Sequence, residues 1–586
     1  MSKTKLELTW IGKDKRPRLE PRILLEDPSK SYHATSKVSE NDIFDNKLIF
    51  GDNLLALKAL EREYTGKVKC IYIDPPYNTG SAFEHYDDGL EHSIWLGLMR
   101  DRLEILRNLM RPDGFICCHI DDSEGHYLKV LMDEVFGRSN YLTTLYVQVR
   151  YAEKTLKQDM DFHKQVEYIH VYRKDFGAKP ILNKKEMSFD KFNYQVLELG
   201  EGREEILGGK KVRIFKKDEW KINKIEGCAK GLKEIWATGS ILDGNSSGRF
   251  FRDYLTGRSN NDGLGCLYKV ENIGDDGLGY RYFSGPARAT ATKGKYYQGV
   301  PLNKLDTEDG GTKPIENFYD LAGSFGNCRL EGGVDFRSGK KPEALLEIIL
   351  SHFSEKGDLV LDSFGGSGTT GAVAHKMGRR WIMIEMGEQC HTHIIPRLTS
   401  IINNQDQTGI SKKNSWQGGG GFRYYKLAPS LMKKDQWGNW VINPQYNQEM
   451  LVEAMCKLEG YTYTPSETEY WNHGKGSETD FIYVTTQTLT DQQLQAISEE
   501  VGEGRTLLII ASAWRSKNID RFINLTLKKI PNSIIKACEW GHDDYSLNVQ
   551  NLPMSEPDIE EKPKAKKVKN TQEESQVMGD LFGDQT

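Results

Sequence analysis

Short apolar runs alternate with amphipathic stretches from about residue 47 to residue 173, and this alternation limits the possible folds of the chain. Runs of four to eight apolar residues predict buried strands, whereas apolar residues spaced three and four apart predict helices. Strands that alternate with helices form a parallel, doubly wound sheet, so an α/β fold is predicted. The predicted strands are residues 68–73, 114–120 and 166–172, and the predicted helices are residues 92–109 and 127–136.

The alternation stops at about residue 175 and resumes near residue 342. Between these points, glycine, lysine and aromatic residues increase and the periodicity fades. The resumed pattern predicts that one sheet is built from two separated parts of the chain. It consists of a helix at residues 342–353, a strand at 359–361, a helix from 370 and a strand at 381–384.

Changes in composition divide the 586 residues into six segments. The last segment is rich in Lys, Glu and Pro, a composition typical of disorder. The C-terminal α/β-like segment is predicted from strands at 481–484 and 507–510 and a helix at 491–501. The six segments are an N-terminal arm (1–45), a first half of the sheet domain (46–174), an inserted unit (175–330), a second half (331–427), a C-terminal domain (428–552) and a tail (553–586).

The sequence Asp74-Pro75-Pro76-Tyr77 follows the predicted strand that ends at residue 73. Parallel sheets place functional groups at such strand ends. The Asp74 carboxylate and the Pro75 carbonyl can accept hydrogen bonds from an amino group, which frees the nitrogen lone pair. The prolines stiffen the backbone, and Tyr77 offers a flat face for an extruded base. These groups predict activation of a nucleobase amine, with an ordinary turn as the alternative.

A glycine-rich loop from Asp362 to Thr370 lies between a predicted strand and a predicted helix. Its glycines let the backbone approach a ligand and expose N–H groups at the start of the helix. Glu385 ends the next strand, where a carboxylate can accept both hydroxyls of a ribose. No lysine follows the last glycine, so the loop is not a P-loop. It predicts nucleoside binding, with a plain glycine-rich turn as the alternative.

Together, these elements resemble the beta-order DNA amino-methyltransferases, in which a target-recognition region separates a catalytic half from a cofactor half. Asp74-Pro75-Pro76-Tyr77 resembles their catalytic motif and Phe364-x-Gly366-x-Gly368 their cofactor motif. Lys341-Pro342 resembles the segment that precedes the cofactor motif. The similarity is closest to the modification subunits of type III restriction systems, and it is carried by residues 48–57, 71–80 and 119–124.

The resemblance implies a Rossmann-like methyltransferase fold with S-adenosylmethionine as the cofactor and a flipped adenine of duplex DNA as the methyl acceptor. Aspartate at position 74 fits the adenine branch better than the cytosine branch. The implied catalytic residues are Asp74, Pro75, Pro76 and Tyr77. The implied cofactor-binding residues are Asp362, Phe364, Gly366, Gly368, Thr369, Glu385, Lys341 and Pro342, with Lys341 facing the methionine carboxylate unless Lys341-Pro342 is only a helix start.

Two basic clusters in the inserted unit are candidates for contact with DNA phosphates and bases. The stretch from residue 281 to residue 304 has no acidic residue and mixes basic with aromatic side chains. Its candidate residues are Arg281, Arg288, Lys293, Lys295, Tyr296 and Tyr297. The second cluster contains Lys210, Lys211 and Arg213. For each cluster, an ordinary solvated surface is the alternative.

The composition excludes other classes of protein. No apolar run reaches the roughly 18 residues that span a bilayer, and the first residues lack the apolar core of a signal peptide, so a cytoplasmic location is expected. The nine cysteines form no Cys-x-x-Cys pair, and Cys390, His391 and His393 have no second ligand pair nearby, so no metal is predicted. The net charge of −5 does not indicate a nucleic acid partner, although a local basic face remains possible.

The expected partners are double-stranded DNA, a second copy of the chain and a helicase-nuclease restriction subunit. The sequence Met578-Gly579-Asp580-Leu581-Phe582 also resembles motifs that dock on bacterial sliding clamps, although an unstructured tail is the alternative. Three other functions stay open: a cytosine amino-methyltransferase, a methyltransferase without a nuclease partner, and a non-catalytic DNA-binding specificity subunit.

Overall fold

The structure, a computed structural model, describes residues 7–77, 88–153, 162–186, 189–237, 246–302, 309–336, 339–530 and 537–546. Before residue 175, its strands are β1 (Leu24–Glu26), β2 (Tyr32–His33), β3 (Asn46–Phe50), β4 (Val68–Ile73), β5 (Met110–Ile120), β6 (Tyr141–Gln148) and β7 (Val166–Arg173). From residue 175 to residue 330, they are β8 (Asn183–Glu186), β9 (Tyr194–Glu198), β10 (Arg203–Leu207), β11 (Lys210–Phe215), β12 (Trp220–Lys224), β13 (Lys233–Ala237), β14 (Leu267–Glu271), β15 (Tyr280–Ser284), β16 (Gly294–Gln298), β17 (Asp309–Lys313) and β18 (Phe318–Asp320).

The later strands and the α-helices of the described residues follow. The strands are β19 (Leu359–Asp362), β20 (Arg380–Glu385), β21 (Gly421–Leu427), β22 (Met432–Lys434), β23 (Trp440–Ile442), β24 (Thr462–Tyr463), β25 (Gly474–Lys475), β26 (Asp480–Leu489), β27 (Thr506–Trp514) and β28 (Leu525–Lys529). The helices are α1 (Asn53–Tyr64), α2 (Asp88–Leu109), α3 (Gly125–Met132), α4 (Ser246–Phe250), α5 (Ser259–Asp262), α6 (Ala322–Asn327), α7 (Glu343–Phe353), α8 (Thr369–Lys376), α9 (Ile395–Ile402), α10 (Gln448–Leu458) and α11 (Asp491–Val501).

The central sheet joins strands from both halves of the chain, as the sequence predicts. Its order within the described residues is β1-β21-β3-β20-β19-β4-β5-β7-β6-β18, with β2 also paired to β21. The run from β21 to β5 is parallel. The prediction of a parallel sheet is wrong at β7, which is antiparallel to both β5 and β6. This strand follows β6 along the chain and pairs with it directly, which reverses its direction.

Helices cover both faces of the central sheet. Along β4, Ile71 and Ile73 face one apolar core, whereas Tyr72 faces the other, as the two-residue period of a strand requires. Helices α1 and α2 contribute to the first core, and α7 and α8 contribute to the second. The doubly wound arrangement is therefore confirmed for this part of the chain.

The inserted unit is built mainly from an antiparallel sheet with the order β10-β11-β14-β15-β16-β13. Its buried core includes Val212, Val270 and Phe283. Strand β18 leaves this unit and pairs in parallel with β6 of the central sheet. The central sheet thus resumes before residue 330, where the sequence places the domain boundary.

The N-terminal segment packs against the central sheet and does not form the separate arm that its polar composition suggests. Strands β1 and β2 pair with β21, and Trp10 belongs to an apolar core. Glu20 and Arg22 form a buried ion pair at 2.8 Å. The Glu20 carboxylate also accepts hydrogen bonds from the Ser430 hydroxyl and the Leu431 N–H. These contacts join the N-terminal segment to the start of the C-terminal domain.

The C-terminal domain contains the sheet β24-β25-β26-β27-β28, in which β26, β27 and β28 are parallel. Helix α11 begins with a capping box in which the Thr490 and Gln493 side chains bind each other's backbone N–H groups. The segment of residues 537–546 returns to the central sheet, where the Tyr545 N–H donates to Asp52 Oδ2 at 2.9 Å. The predicted disordered tail and its clamp-like motif lie outside the described residues.

No helix in the described ranges is long and apolar enough to cross a membrane. In the same ranges, no group of three or more His, Cys, Asp and Glu side chains is arranged to hold a metal ion.

Candidate active site

Strands β4 and β19 are parallel neighbours, with Cys70 opposite Val360 and Ile71 opposite Leu361. Both strands end at the same edge of the sheet, so the loops that follow them lie side by side. We refer to residues 74–77, after β4, as the Pro-Pro loop. We refer to residues 362–368, at the end of β19, as the glycine loop.

The two loops line one cavity of about 540 Å³. All four residues of the Pro-Pro loop line it, together with Phe364 and Gly366 of the glycine loop and Glu385 at the end of β20. Ser546, near the end of the segment that returns from the C-terminal domain, also lines it. This volume lies within the range of pockets that hold small-molecule ligands.

The glycine loop is held by hydrogen bonds to its own first residue. Asp362 Oδ1 accepts from the Phe364 N–H at 2.9 Å, and Asp362 Oδ2 lies 2.6 Å from the Thr370 hydroxyl. Burial raises the pKa of Asp362 to about 8. Gly366 and Gly368 have φ angles of +52° and +78°, which side chains rarely adopt. A Cβ atom on Gly366 would lie 3.8 Å from the Phe364 carbonyl oxygen, an ordinary contact distance, and Gly366 itself lines the cavity.

Glu385 connects the glycine loop to the loop after β20. Its Oε2 atom accepts from the Gly366 N–H at 2.7 Å, and its Oε1 atom accepts from the Gly387 N–H and the Gln389 amide at 2.8 Å each. Burial raises the pKa of this carboxyl despite these hydrogen bonds. Glu385 also lines the cavity, where a carboxylate can accept a hydrogen bond from a ligand hydroxyl. This geometry fits a ribose hydroxyl.

Four other predicted cofactor residues support the loop and are not part of the cavity wall. The Thr369 hydroxyl is buried; it donates to the Lys341 carbonyl at 3.0 Å and accepts from the Arg397 guanidinium at 2.8 Å. Pro342 directly precedes α7. Gly368 ends the glycine loop and precedes α8, and Asp362 begins the loop and binds the Phe364 N–H within it. Their positions favour shaping the glycine loop over direct ligand contact.

The Pro-Pro loop is fixed by contacts on both sides. The Trp95 indole N–H donates to the Pro76 carbonyl at 3.0 Å. The Tyr77 hydroxyl lies 2.9 Å from Asp74 Oδ1 and 3.2 Å from Glu167 Oε2, so it can donate its proton to either carboxylate. The Asp74 carboxylate therefore has a defined orientation at the wall of the cavity.

Lys341, which is predicted to face the methionine carboxylate of the cofactor, lines the cavity beside the Pro-Pro loop. Its ammonium group lies 3.0 Å from Asp74 Oδ2, 2.7 Å from the Tyr77 hydroxyl and 3.5 Å from Glu167 Oε2. Burial alone lowers the pKa of Lys341, but the Asp74 and Glu167 carboxylates outweigh burial and raise it. Because β4 and β19 are neighbours, the start of α7 lies against the Pro-Pro loop.

Glu167 on β7 and His119 on β5 are site residues that the motifs do not predict. His119 Nε2 lies 2.8 Å from Glu167 Oε2, and His119 Nδ1 lies 2.8 Å from the Tyr72 hydroxyl. Burial raises the pKa of Glu167, but the interaction with His119 and the charge of Lys341 outweigh it and lower the pKa to about 2. A charged residue inside an apolar strand is itself a signal, since such residues are buried only with a partner.

A protein-family model described as DNA methylase matches residues 68–396. The matched region is more than half of the chain and contains both loops and Glu385. The chain belongs to the DNA methylase family.

The methylase is similar to several modification (Mod) subunits of type III restriction-modification enzymes. It is 33% identical over 424 residues to the probable HindVI Mod subunit of Haemophilus influenzae, covering 69% of this chain and 56% of that protein. It is 29% identical over 458 residues to the EcoPI Mod subunit of Escherichia phage P1, covering 69% and 65%. It is 24% identical over 583 residues to the EcoP15I Mod subunit of Escherichia coli, covering 86% and 85%. The chain thus spans between half and two-thirds of the first two relatives.

Three of the predicted DNA contacts of the methylase are buried in the inserted unit. Arg281 is 2% exposed and lies 3.2 Å from the buried Asp276 carboxylate. Tyr296 and Tyr297 are 7% and 3% exposed and pack in the cores of the inserted sheet. The prediction that these three side chains contact DNA is therefore wrong, because they form the interior of the unit.

The other predicted DNA contacts of the methylase reach the surface of the inserted unit. Arg288 and Lys293 are exposed. Lys295 is partly exposed and forms an ion pair with Glu234 at 2.7 Å. In the second cluster, Lys211 and Arg213 both pair with Glu204, which the β10-β11 hairpin places directly opposite Arg213 and diagonally across from Lys211. Lys210 is half-buried and donates to the Asn272 carbonyl.

Proposed function

We propose that this DNA methylase transfers a methyl group from S-adenosylmethionine to the exocyclic amino group of an adenine flipped out of duplex DNA. In this proposal, it is the modification component of a restriction system and acts in the cytoplasm of a bacterium or archaeon. The Pro-Pro loop holds the base, and the glycine loop with Glu385 holds the cofactor.

The observation that carries the proposal is that both loops line a single cavity. When bound, S-adenosylmethionine supplies an electrophilic methyl group. Glu385 lines the cavity with a carboxylate that can bind a ribose hydroxyl, and Gly366 lets the backbone approach the ligand closely. Asp74 lines the same cavity, so an amino group bound to its carboxylate would lie beside the cofactor.

The chemistry of the Pro-Pro loop favours an amino group as the acceptor. The Asp74 carboxylate and the Pro75 carbonyl accept the two N–H groups, which directs the nitrogen lone pair towards the methyl group. The Tyr77 ring stacks on the flipped base. The amine nitrogen would gain the methyl group and a positive charge as the bond between the methyl carbon and the donor's sulfur breaks, which leaves a neutral thioether. The nitrogen would then lose a proton to Asp74 and from there to water. Aspartate at position 74 supports adenine over cytosine as the base.

DNA binding and partners belong to the same proposal. In this proposal, phosphates beside the flipped base are bound by the exposed Arg288, Lys293 and Lys211 and by the partly exposed Lys295, Lys210 and Arg213. The Mod relatives support a helicase-nuclease subunit as a partner, and a second copy of the chain is proposed as well. Analytical ultracentrifugation of the purified chain tests the homodimer, and copurification with the product of a neighbouring nuclease gene tests the restriction partner.

The function is tested by incubating the purified protein with unmethylated duplex DNA and S-adenosylmethionine that carries a tritiated methyl group. We expect label in the DNA. After digestion to nucleosides, chromatography should show the label in N6-methyldeoxyadenosine. Asp74→Ala should transfer no label, and the exposed-residue variant Asp14→Ala should match the wild type. Label in N4-methylcytosine would contradict adenine as the acceptor, and the absence of label with wild-type protein would contradict the proposed function.

A further inference from the structure

Behind the Pro-Pro loop, a chain of polar contacts runs from the sheet to the Asp74 carboxylate. It passes from the Tyr72 hydroxyl to His119, Glu167 and Lys341, and Lys341 contacts Asp74. The His119 side chain is fully buried, and the Lys341 side chain is 9% exposed. Charged groups are buried at such a site only when partners offset the cost of removing them from water.

Strand pairing explains how this cluster is assembled. His119 on β5 lies opposite Ile169 on β7, and Glu167 is two residues from Ile169 along the same face of that strand. Tyr72 lies on β4, the other neighbour of β5. The positions of His119 and Glu167 are therefore fixed by the sheet and not by the Pro-Pro loop.

The charges of the cluster matter for methyl transfer. The reaction moves a positive charge from the methyl donor to the amine nitrogen, so a negative group beside that nitrogen stabilises the transition state. Asp74 alone would be offset by the ammonium group of Lys341 at 3.0 Å. The Glu167 carboxylate lies 3.5 Å from the same ammonium group. The side chains of Asp74, Lys341 and Glu167 therefore carry one negative charge between them. That charge acts on the developing cation and not on the neutral ground-state amine, so it should affect kcat.

We propose that Glu167, held in place by His119, is a positioning residue that offsets the charge of Lys341 and keeps Asp74 effective as the acceptor of the target amine. This inference rests on the proposed methyl transfer to DNA. Glu167, His119 and Lys341 lie outside the Pro-Pro loop and the glycine loop, and they come from three separate parts of the chain.

The test is a double-variant cycle of Glu167→Gln and Lys341→Gln, with single-turnover rates measured at saturating DNA and S-adenosylmethionine. Glu167→Gln removes one negative charge, and its rate should fall by at least about tenfold. The double variant restores the net charge of the cluster, so its rate should exceed that of Glu167→Gln by about fivefold or more. A merely structural role predicts the opposite order, because the double variant disturbs two side chains of the cluster instead of one.

Three controls complete the experiment. Glu167→Asp keeps the charge and should retain more activity than Glu167→Gln. Glu63→Gln changes an exposed glutamate on α1 and should match the wild type. Binding of S-adenosylmethionine to Glu167→Gln, measured by calorimetry, should stay within about twofold of the wild type, which also shows that the variant is folded.

The outcomes separate this inference from the function on which it rests. A Glu167→Gln rate within twofold of an active wild type would overturn the inference and leave methyl transfer intact. A double variant as slow as Glu167→Gln would overturn the proposal that Glu167 offsets the charge of Lys341. A wild type that transfers no methyl group to DNA would overturn the proposed function, and the inference with it.

Discussion

The Pro-Pro loop and the glycine loop lie at the ends of neighbouring strands, yet different parts of the chain hold them in place. In the glycine loop, Asp362 binds the Phe364 N–H and the Thr370 hydroxyl, two and eight residues away. In the Pro-Pro loop, Tyr77 contacts Glu167 and Lys341, which are 90 and 264 residues away. The glycine loop is thus held mainly by contacts that are local in sequence, whereas the contacts of the Pro-Pro loop depend on the tertiary fold.

The two loops also differ in charge. The carboxyls beside the glycine loop, Asp362 and Glu385, have pKa values raised by burial and bind mainly N–H and hydroxyl groups. Beside the Pro-Pro loop, the Lys341 ammonium group instead lies between the carboxylates of Asp74 and Glu167. The difference suggests that the glycine loop is built to bind a ligand, whereas the Pro-Pro loop is built to stabilise changing charge. Substitutions in the two loops should therefore change different kinetic constants.

The largest effect is expected from Asp74→Ala. Loss of the acceptor for the target amine should reduce the rate of methyl transfer by at least about 100-fold. Affinity for S-adenosylmethionine in calorimetry should change by no more than about twofold, because Asp74 makes no hydrogen bond to the glycine loop among the described residues. If the variant keeps the wild-type rate, Asp74 does not take part in methyl transfer.

The next largest effect is expected from Glu385→Ala. Loss of hydrogen bonds to a charged group should weaken S-adenosylmethionine binding by about 10- to 100-fold. Because the pKa of Glu385 is raised, its carboxylate is protonated at a higher pH than an ordinary glutamate, so wild-type affinity should fall as the pH is lowered. Calorimetry across pH checks both effects, and an unchanged affinity would exclude Glu385 from the cofactor site.

A smaller effect, on DNA and not on either loop, is expected from the double variant Arg288→Glu and Lys293→Glu. DNA affinity should fall by about tenfold, and the slope of log affinity against log salt should decrease by about one for each phosphate that the variant no longer binds. Fluorescence anisotropy over a range of salt concentrations measures both. The exposed-residue variant Lys433→Glu on the C-terminal hairpin is the control. An unaltered salt slope would show that Arg288 and Lys293 belong to an ordinary solvated surface and do not bind DNA phosphates.

The smallest of these effects is expected from Asp362→Asn, which should change the stability of the protein little at neutral pH. With its pKa raised to about 8, Asp362 is mostly protonated in the folded protein at pH 7, and an asparagine has nearly the same shape. The folded state keeps this proton while the unfolded state loses it near pH 4, so this group's contribution to stability is lost as the pH rises from about 4 to about 8. Denaturant unfolding should show that decline in the wild type, and a similar decline in the variant would contradict it.

The sequence predicts the elements that local pattern determines. The apolar run of β4 predicts its bounds, Val68–Ile73, and the helical spacing of α11 predicts Asp491–Val501. The glycine loop and Glu385 are also predictable, because their positions follow directly from strand ends. In each case, the relevant residues lie within one element or in the turn that follows it.

The rest depends on which strands become neighbours. Adjacent lysines illustrate this: Lys340 donates to the carbonyls of Arg329, Glu331 and Val334, and burial lowers its pKa to about 8. Lys341 instead meets two carboxylates, and its pKa is raised. Nothing in the local sequence separates the two side chains. In the same way, Arg281 looks like a DNA contact until the turn between β14 and β15 places Asp276 beside it.

The division of labour between the loops is tested most directly by single-turnover methyl transfer at saturating S-adenosylmethionine, with Asp74→Ala and Glu385→Ala measured side by side. Glu385→Ala should recover to within about threefold of the wild-type rate, because high concentration offsets weak binding, whereas Asp74→Ala should stay at least about 100-fold slower. Equal losses in the two variants at saturation would contradict this division of labour.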